Sequence, residues 1–334
     1  MQAAGPRAGR ALWALAAALA VACGGALPRV DPDRLAARVG DPRLNEASGL
    51  AASSAEDELL WALDDSGNPP VLHAFGADGR PRGLLEIEDA SDLDWEALDA
   101  FEWEGRPWLL VADVGDNAEA RPEVLLHVVP EPQPAELAPD RRIAARPAWT
   151  VSVRLENGPA DCEAVAVDPT EERIYFVTKR SRPVLLLSAP LRPEGGAPAV
   201  ARVEAAVAIP EHEVGALTLP LPTWRYRGNV TGLAFSPDGR SAAVLTYGEV
   251  YLFTRRPEEA WAAALSRPPE ELGAPGLWQA EAITFSRDGR AVWVTGEERN
   301  PRLVRFEIPS DVRTATDREA STGRAGSTRP ASLP

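Results

Sequence analysis

Short apolar runs with period-two alternation recur along the chain, separated by turn residues. Five of these runs share one form: an oxygen-bearing residue, a small residue, then an aliphatic alternation. They are Ser48-Gly49-Leu50-Ala51, Glu96-Ala97-Leu98-Asp99, Glu163-Ala164-Val165-Ala166, Thr231-Gly232-Leu233-Ala234 and Glu281-Ala282-Ile283-Thr284. Each is followed by a turn and a second apolar run, at 59–63, 108–112, 174–178, 242–246 and 291–295. A third run follows, as in 124–129, 250–253 and 303–308. Pro237-Asp238-Gly239 and Arg287-Asp288-Gly289 have the chemistry of hairpin turns between first and second runs. Regularly spaced short strands with turn signals predict an all-β sandwich, barrel or propeller. Repetition of a three- to four-strand unit selects the β-propeller.

The spacing of the five motifs predicts five blades. The two longest gaps, from Glu96 to Glu163 and from Glu163 to Thr231, are each too short for two repeats of about 40 residues. Both carry Pro-rich stretches, at 130–147, 190–198 and 210–222, which read as insertions. A six-bladed ring is the alternative. The last repeat shows three strands, ending near Ile308, and an unpaired segment at 34–39 precedes the first motif. That segment is expected to be the outer strand of the last blade, closing the ring and hiding two edges.

The chain ends have a different character. Arg7 and Arg10 precede an apolar stretch at 11–22, too short to span a bilayer and typical of a signal peptide over residues 1–22. Ala20-Val21-Ala22-Cys23 resembles a bacterial lipobox, with Ala20 in place of the favoured Leu. Cys23 is then the lipidated residue, 23–33 a tether, 34–309 the propeller and 310–334 a disordered Ser/Thr/Arg/Pro tail. Gly24 after Cys23 is not the retention aspartate, which points to the outer membrane. Ordinary cleavage at the same site gives a secreted or periplasmic chain instead.

Composition narrows the partners. The 334 residues include 50 acidic and 35 basic ones, a formal charge of -15. This balance argues against nucleic acid and against a membrane contact made by charge alone, leaving a lipid anchor. An apolar fraction of 45% argues against a disordered chain, and 2 Cys cannot staple a small scaffold. A monomer is expected.

In a propeller the first strand of each blade lines the axis. Ser48, Glu96, Glu163, Thr231 and Glu281 therefore form one ladder, accompanied by Asp92, Asp94 and Asp161. A second ladder falls on the same face: Asp64 to Asn68, Asp113 to Asn117, Lys179-Arg180, Tyr247 and Glu297 to Arg299. Carboxylates about 5 Å apart repel by roughly 3 kcal/mol per pair at an effective dielectric near 20. Such a cost is relieved by protons held on the acids, by bonds to neighbouring backbone amides, or by a hard cation. Calcium accepts six to eight such oxygens in loose geometry, whereas zinc does not suit a ladder without His or Cys. In the second ladder Gly67, Gly115 and Asn117 read first as turn formers. Lys179 and Arg180 are placed to neutralise the rim or to grip phosphate or carboxylate.

The order Ser, Glu, Glu, Thr, Glu at these spacings resembles the calcium-activated nucleotidases (apyrases), with Thr231 in place of a Ser. The resemblance implies a five-bladed propeller with one axial Ca2+ held by Ser48, Glu96, Glu163, Thr231 and Glu281. It does not extend to that family's nucleotide-contacting residues. Asp113 to Asn117 and Asp65 to Asn68 also resemble bacterial propeller proteins described as phytase-like or esterase-like. No nucleophile elbow, P-loop or His-Glu-x-x-His is present. His73 and His127 sit in apolar strands, His212 lies in an insertion, and Cys162 reads as a packing residue. Two functions follow. The first is an envelope lipoprotein whose calcium-stabilised propeller holds a small ligand, glycan or protein. The second is a metal-assisted phosphohydrolase using Asp113, Asp116, Lys179 and Arg180 on a nucleotide or phosphate ester.

Overall fold

A computed structural model describes residues 29–90, 93–211 and 226–309. The signal segment, Cys23, Asp92, His212 and the tail from 310 lie outside the described residues. The first strand, β1 (Leu35–Arg38), is set apart from the sequence-local meanders that follow. Blade 1 contains β2 (Ala47–Ala52), β3 (Leu59–Asp64), β4 (Val71–Gly76) and β5 (Pro81–Ile87). Blade 2 contains β6 (Trp95–Trp103), β7 (Arg106–Asp113) and β8 (Val124–Pro130), then, after the inserted β9 (Arg142–Ala145), β10 (Trp149–Leu155). Blade 3 is β11 (Cys162–Asp168), β12 (Arg173–Thr178), β13 (Leu185–Pro190) and β14 (Ala199–Ala206). Blade 4 is β15 (Val230–Phe235), β16 (Ser241–Thr246), β17 (Val250–Thr254) and, after the short helix α1 (Trp261–Leu265), β18 (Glu270–Gly273). Blade 5 is β19 (Ala280–Phe285), β20 (Ala291–Gly296), β21 (Arg302–Glu307) and the returning β1.

Each blade is thus a four-stranded antiparallel unit. The inner strands β2, β6, β11, β15 and β19 pack neighbour against neighbour, and β19 returns to β2. The fold is an all-β propeller, with five such units among the described residues. Five apolar clusters fill it, one at each junction between successive blades. Middle strands face two neighbours at once. Hence β3, β16 and β20 are buried at every position and read as continuous apolar runs.

Closure follows the expected route. β1 pairs antiparallel with β21, setting Leu35 opposite Val304 and Arg38 opposite Arg302. The Val39 amide continues the ladder to the Pro301 carbonyl at 2.9 Å. Behind it, Asp41 is buried against His73, with Oδ2 3.0 Å from Nδ1, and is gripped by Arg43. Burial opposes that charge, yet the hydrogen bonds from His73 and Arg43 hold the Asp41 carboxyl well below the usual range.

The insertions do more than lengthen loops. β9 adds to blade 1 as a fifth strand, parallel to β5, so the connection within blade 2 covers its neighbour's edge. The outer strands β10 and β14 also pair in parallel and fuse blades 2 and 3 into one eight-stranded sheet. Short apolar segments in these stretches carry no signal for partners so distant in sequence. Both pairings remove edges that would otherwise be free.

Deleting residues 29–38 strips blade 5 of its outer strand and should lower Tm by at least about 5 °C, given ~2–4 °C per kcal/mol for a domain of this size. Thermal denaturation of truncated and full chains reads the difference, and equal midpoints would show that β1 does not close the ring.

Candidate functional site

All five ladder residues are buried, with exposures of 5% or less. Their positions share a backbone cause. In each blade the pairing of first and second strands slips by one residue at the ladder position. Ala47 faces Asp64 while Gly49 faces Leu63, and Ser48 is bulged between them. The same bulge holds Glu96, Glu163, Thr231 and Glu281. A bulge re-aims one side chain out of the alternation. Here it gathers five polar side chains at the ends of strands that otherwise bury aliphatics. The small residue that follows is dictated by crowding. A Cβ at Gly49 would lie 2.8 Å from the Leu98 nitrogen and from Leu63 Cγ, and one at Gly232 would lie 2.6 Å from Ile283 Cγ2.

A second backbone rule builds the rim. The residue two places before each bulge accepts a hydrogen bond from the loop after the second strand. Asp65, Gly115, Lys179, Tyr247 and Glu297 donate their amides to the carbonyls of Glu46, Asp94, Asp161, Asn229 and Gln279, at 2.8, 3.1, 3.0, 3.3 and 3.1 Å. We call this face, where the chain enters the inner strands, the upper face. Blade 2 has one extra residue, the buried Val114, so a glycine occupies the equivalent place. A Cβ on Gly115 would lie 2.4 Å from Asp94 Oδ2 and 2.8 Å from Glu96 Oε1. The missing side chain is therefore what admits these two carboxylates.

Asp65, Asp94 and Glu96 each bring a carboxylate oxygen within 4.8 Å of the others. Of the predicted ladder, Glu96 belongs to this group. Asp94 and Asp65 come from the flanking positions. Burial first, and then the charge of Asp65, pushes the Glu96 carboxyl well above its ordinary pKa. Burial also raises Asp94, and it raises Asp65 to about 6 with help from the Glu281 and Asp94 charges. Glu281 and Glu297 are hydrogen-bonded to each other, and burial followed by the Glu281 charge pushes Glu297 up. Tyr247 donates to Glu281 at 2.8 Å and Gln279 donates to Glu297 at 2.7 Å.

The other half of the ladder is partly satisfied internally. Lys179 pairs with Glu163 and lies 5.4 Å from the centroid of the Tyr247 ring. The second Glu163 oxygen is buried and accepts no hydrogen bond. Ser48 and Thr231 donate to the Trp95 and Ala280 carbonyls of the next blade at 3.0 and 2.7 Å, stapling blade 1 to 2 and blade 4 to 5. Three hard-oxygen carboxylates in mutual reach suit a cation such as calcium, and nothing in the set favours a soft metal.

The second ladder divides by role. Asp64 accepts the Asn45 and Glu46 amides at 2.9 and 2.8 Å and so fixes the entry loop. Asp113 pairs with Arg121 at 2.7 Å and accepts the Asp94 amide at 3.2 Å. Asp116 accepts the Ala120 and Arg121 amides at 2.9 and 2.8 Å, closing its own loop. Arg180 reaches Asn117 and Asp161 from the rim, and Glu298 pairs with Arg302 at 2.6 Å. Cys162 is buried, and burial together with the Asp161 charge pushes its thiol up to about 12, so it is packing rather than nucleophile. His127 is buried beside Thr150. Sequence reasoning left Glu46 and Gln279 unnoticed, although they recur two residues before the ladder.

No family model matches the chain, and no curated protein matches it. Among solved structures it is similar to the PQQ-bound aldose sugar dehydrogenase of Streptomyces coelicolor, at 11% identity over 83% of this chain and 97% of that one, with a TM-score of 0.43. A gluconolactonase from Xanthomonas campestris shares 16% identity over 86% of this chain and 98% of that one, with a TM-score of 0.42. The structure of a nidogen/laminin complex gives 13%, 80%, 82% and 0.40. Likeness at this level carries no chemistry.

Two outcomes follow. Gly115→Ala needs only the Asp94 and Glu96 side-chain ends to move, so it should fold with Tm within about 3 °C of the parent in chelator while losing any divalent-cation response in the same melt. The second concerns pH. The folded chain holds protons on Asp65 and on Asp99, which burial raises to about 7 at the lower end of the blade 2–3 junction. Stability from a raised acid is complete below its unfolded value and is lost as pH rises through the folded one. His127, lowered by burial, acts in the opposite sense as a single group. In chelator, urea denaturation should therefore show greater stability at pH 5 than at pH 7.5, and Asp99→Asn should flatten the slope.

Proposed function

We propose that the chain is a cell-envelope propeller that binds calcium at the upper end of its axis and displays the ion to a small ligand, glycan or protein. Asp65, Asp94 and Glu96 are the primary ligands. Glu163 and Glu281 complete the negative field, and the Ser48 and Thr231 hydroxyl oxygens line it. The observation that carries the reading is the Asp65, Asp94 and Glu96 cluster, held together by burial and by the glycine at 115. One buried and two half-buried carboxylates in mutual reach are stabilised either by protons or by a cation. At neutral pH and millimolar calcium the cation is the better partner, because it takes several oxygens at once. When bound, it supplies a site for polar or anionic groups from outside. Arg180 on the rim supplies a second grip for such a ligand.

Export and lipidation at Cys23 rest on the charged, apolar and small-residue pattern of residues 1–23. The nucleotidase resemblance rests on the ladder alone. The phosphohydrolase reading needs an accessible carboxylate to act as base; Asp116 is engaged with loop amides, and Asp113, paired with Arg121 through one oxygen, is fully buried. Binding without turnover is therefore preferred.

Calcium in excess should raise Tm by about 5–10 °C over chelator, the effect of roughly 2.7 kcal/mol at a hundredfold excess over Kd. Glu96→Gln should abolish the shift while preserving the fold. Phosphate release from a nucleoside diphosphate, lost in Asp116→Ala, would instead establish the hydrolase. No calcium shift in the parent chain would refute the site.

A further inference from the structure

The outer edges of the ring are not treated alike. β9 covers β5 of blade 1, and the outer strands of blades 2 and 3, β10 and β14, cover each other. In blade 4, β18 pairs with β17 on one side and has no backbone partner on the other among the described residues. Such an edge is a template for one more strand. Beside it lies a groove of about 310 Å³, lined by Leu272 of β18, by Asp33 and Arg34 before β1, and by Phe306 and Glu307 at the end of β21. Arg34 stacks on Phe306, 4.5 Å from the ring centroid. The upper part of this seam is already filled. Val30 packs on the cluster containing Leu277, and a Cβ on Gly276 would lie 2.1 Å from the Arg29 carbonyl oxygen. The groove is the lower part.

The chain leaves blade 5 at the same place. The Ile308 amide still bonds to the Arg290 carbonyl at 2.8 Å, Pro309 has no amide to continue the ladder, and residues 310–334 follow. Composition gives this tail no core of its own. Its first part differs in pattern. Val312, Thr314 and Thr316 alternate with Arg313, Ala315 and Asp317, a period-two run of β-branched residues. Direction fits as well. β21 descends to the lower face, so a segment that follows it and re-enters the seam must ascend. β18 ascends too, with Glu270 opposite Leu252 and Gly273 opposite Val250. The pairing would be parallel, as both cross-blade pairings in this ring are. Seven extended residues span about 23 Å, more than the four-residue β18 requires.

Charge selects the edge. Glu270 and Glu271 are exposed on β18. The tail carries arginines at 313, 318, 324 and 329 against Asp311, Asp317 and Glu319, in a chain of formal charge -15. The nearby edge of β1 has Arg34 just before it and Arg38 at its end, and so suits this tail less well.

We infer that residues 311–317 add to blade 4 as a fifth strand, parallel to β18, with Val312 laid over the groove between Leu272 and Phe306. Both ends of the propeller then serve one joint: β1 completes blade 5, and the tail clasps blade 5 to blade 4. Attachment at Pro309 keeps the segment at an effective concentration on the order of millimolar, so a weak pairing suffices. The inference goes beyond the calcium reading and does not rest on it.

The test is amide hydrogen exchange in chelator, on the chain without its signal segment and with Cys23→Ser. Amides of β18 should exchange at least about tenfold more slowly in the chain ending at 334 than in one ending at Pro309. Thr314→Pro removes a donor and should behave as the shortened chain, whereas Thr314→Val should keep the protection. Exchange in β7 should be the same in all four, which reports an intact fold. A peptide of residues 310–319 added to the shortened chain should restore slow exchange at β18, and Arg313→Glu in that peptide should weaken the effect. Equal exchange at β18 with and without the tail overturns the inference, and so does protection that falls on β1 instead. If protection rises with protein concentration and the chain elutes as a dimer, the occupant is a second copy and the inference fails. Because no calcium is present, each of these results leaves the calcium reading untouched.

Discussion

Five inner strands converge on one axis, and whatever their bulges carry must share a few ångströms there. Each bulge turns one side chain out of the buried alternation, so the polar positions are not scattered over the surface but concentrated at one end of the ring. Three of the five are glutamates. Their mutual repulsion is tolerable only because the structure offsets it in different ways around the circle. Ser48 and Thr231 spend their protons on the next blade's backbone, Lys179 neutralises Glu163, and Glu281 shares a hydrogen bond with Glu297. Glu96 has no such local partner among these groups, and it is the residue that meets Asp65 and Asp94.

That asymmetry gives an otherwise fivefold arrangement a direction. Blade 2 carries the extra residue, the glycine and the two close carboxylates. Blade 3 carries the ammonium, and blades 4 and 5 carry Tyr247 and the carboxyl pair. A ring of identical repeats would have placed one kind of group five times. Divergence at a single position per repeat has instead made an acidic quarter, a basic quarter and a hydrogen-bonded quarter within one chamber. The same ring is closed by β1, so the segment that precedes the first meander also completes blade 5.

Sequence alone determined the repeat. The oxygen-bearing residue, the small residue and the alternating aliphatics recur because each performs the same task in every blade: bulge, close approach and core. From that recurrence came the repeated strand units, the closing strand and the shared ladder positions, while His73 and His127 were read from their apolar strand contexts. The ladder's second rule, two residues earlier, was equally periodic in the sequence, but its residues differ too much in type to announce it.

Tertiary structure decided which members of the ladder act together. Spacing says that Glu96, Glu163 and Glu281 share an axis, but it does not say that Lys179 turns to Glu163, that Gly115 leaves room for Asp94, that Asp113 is buried against Arg121, or that Asp116 closes its own loop. Those outcomes depend on ångström-scale side-chain directions at the loops and strand ends of each blade, and no periodicity encodes them. The parallel pairings of β9 with β5 and β10 with β14 were decided in the same way, by edges that meet only once neighbouring blades have packed. Repetition is legible because it is local and redundant. The site is unique to one place in the ring, and only the fold brings its parts together.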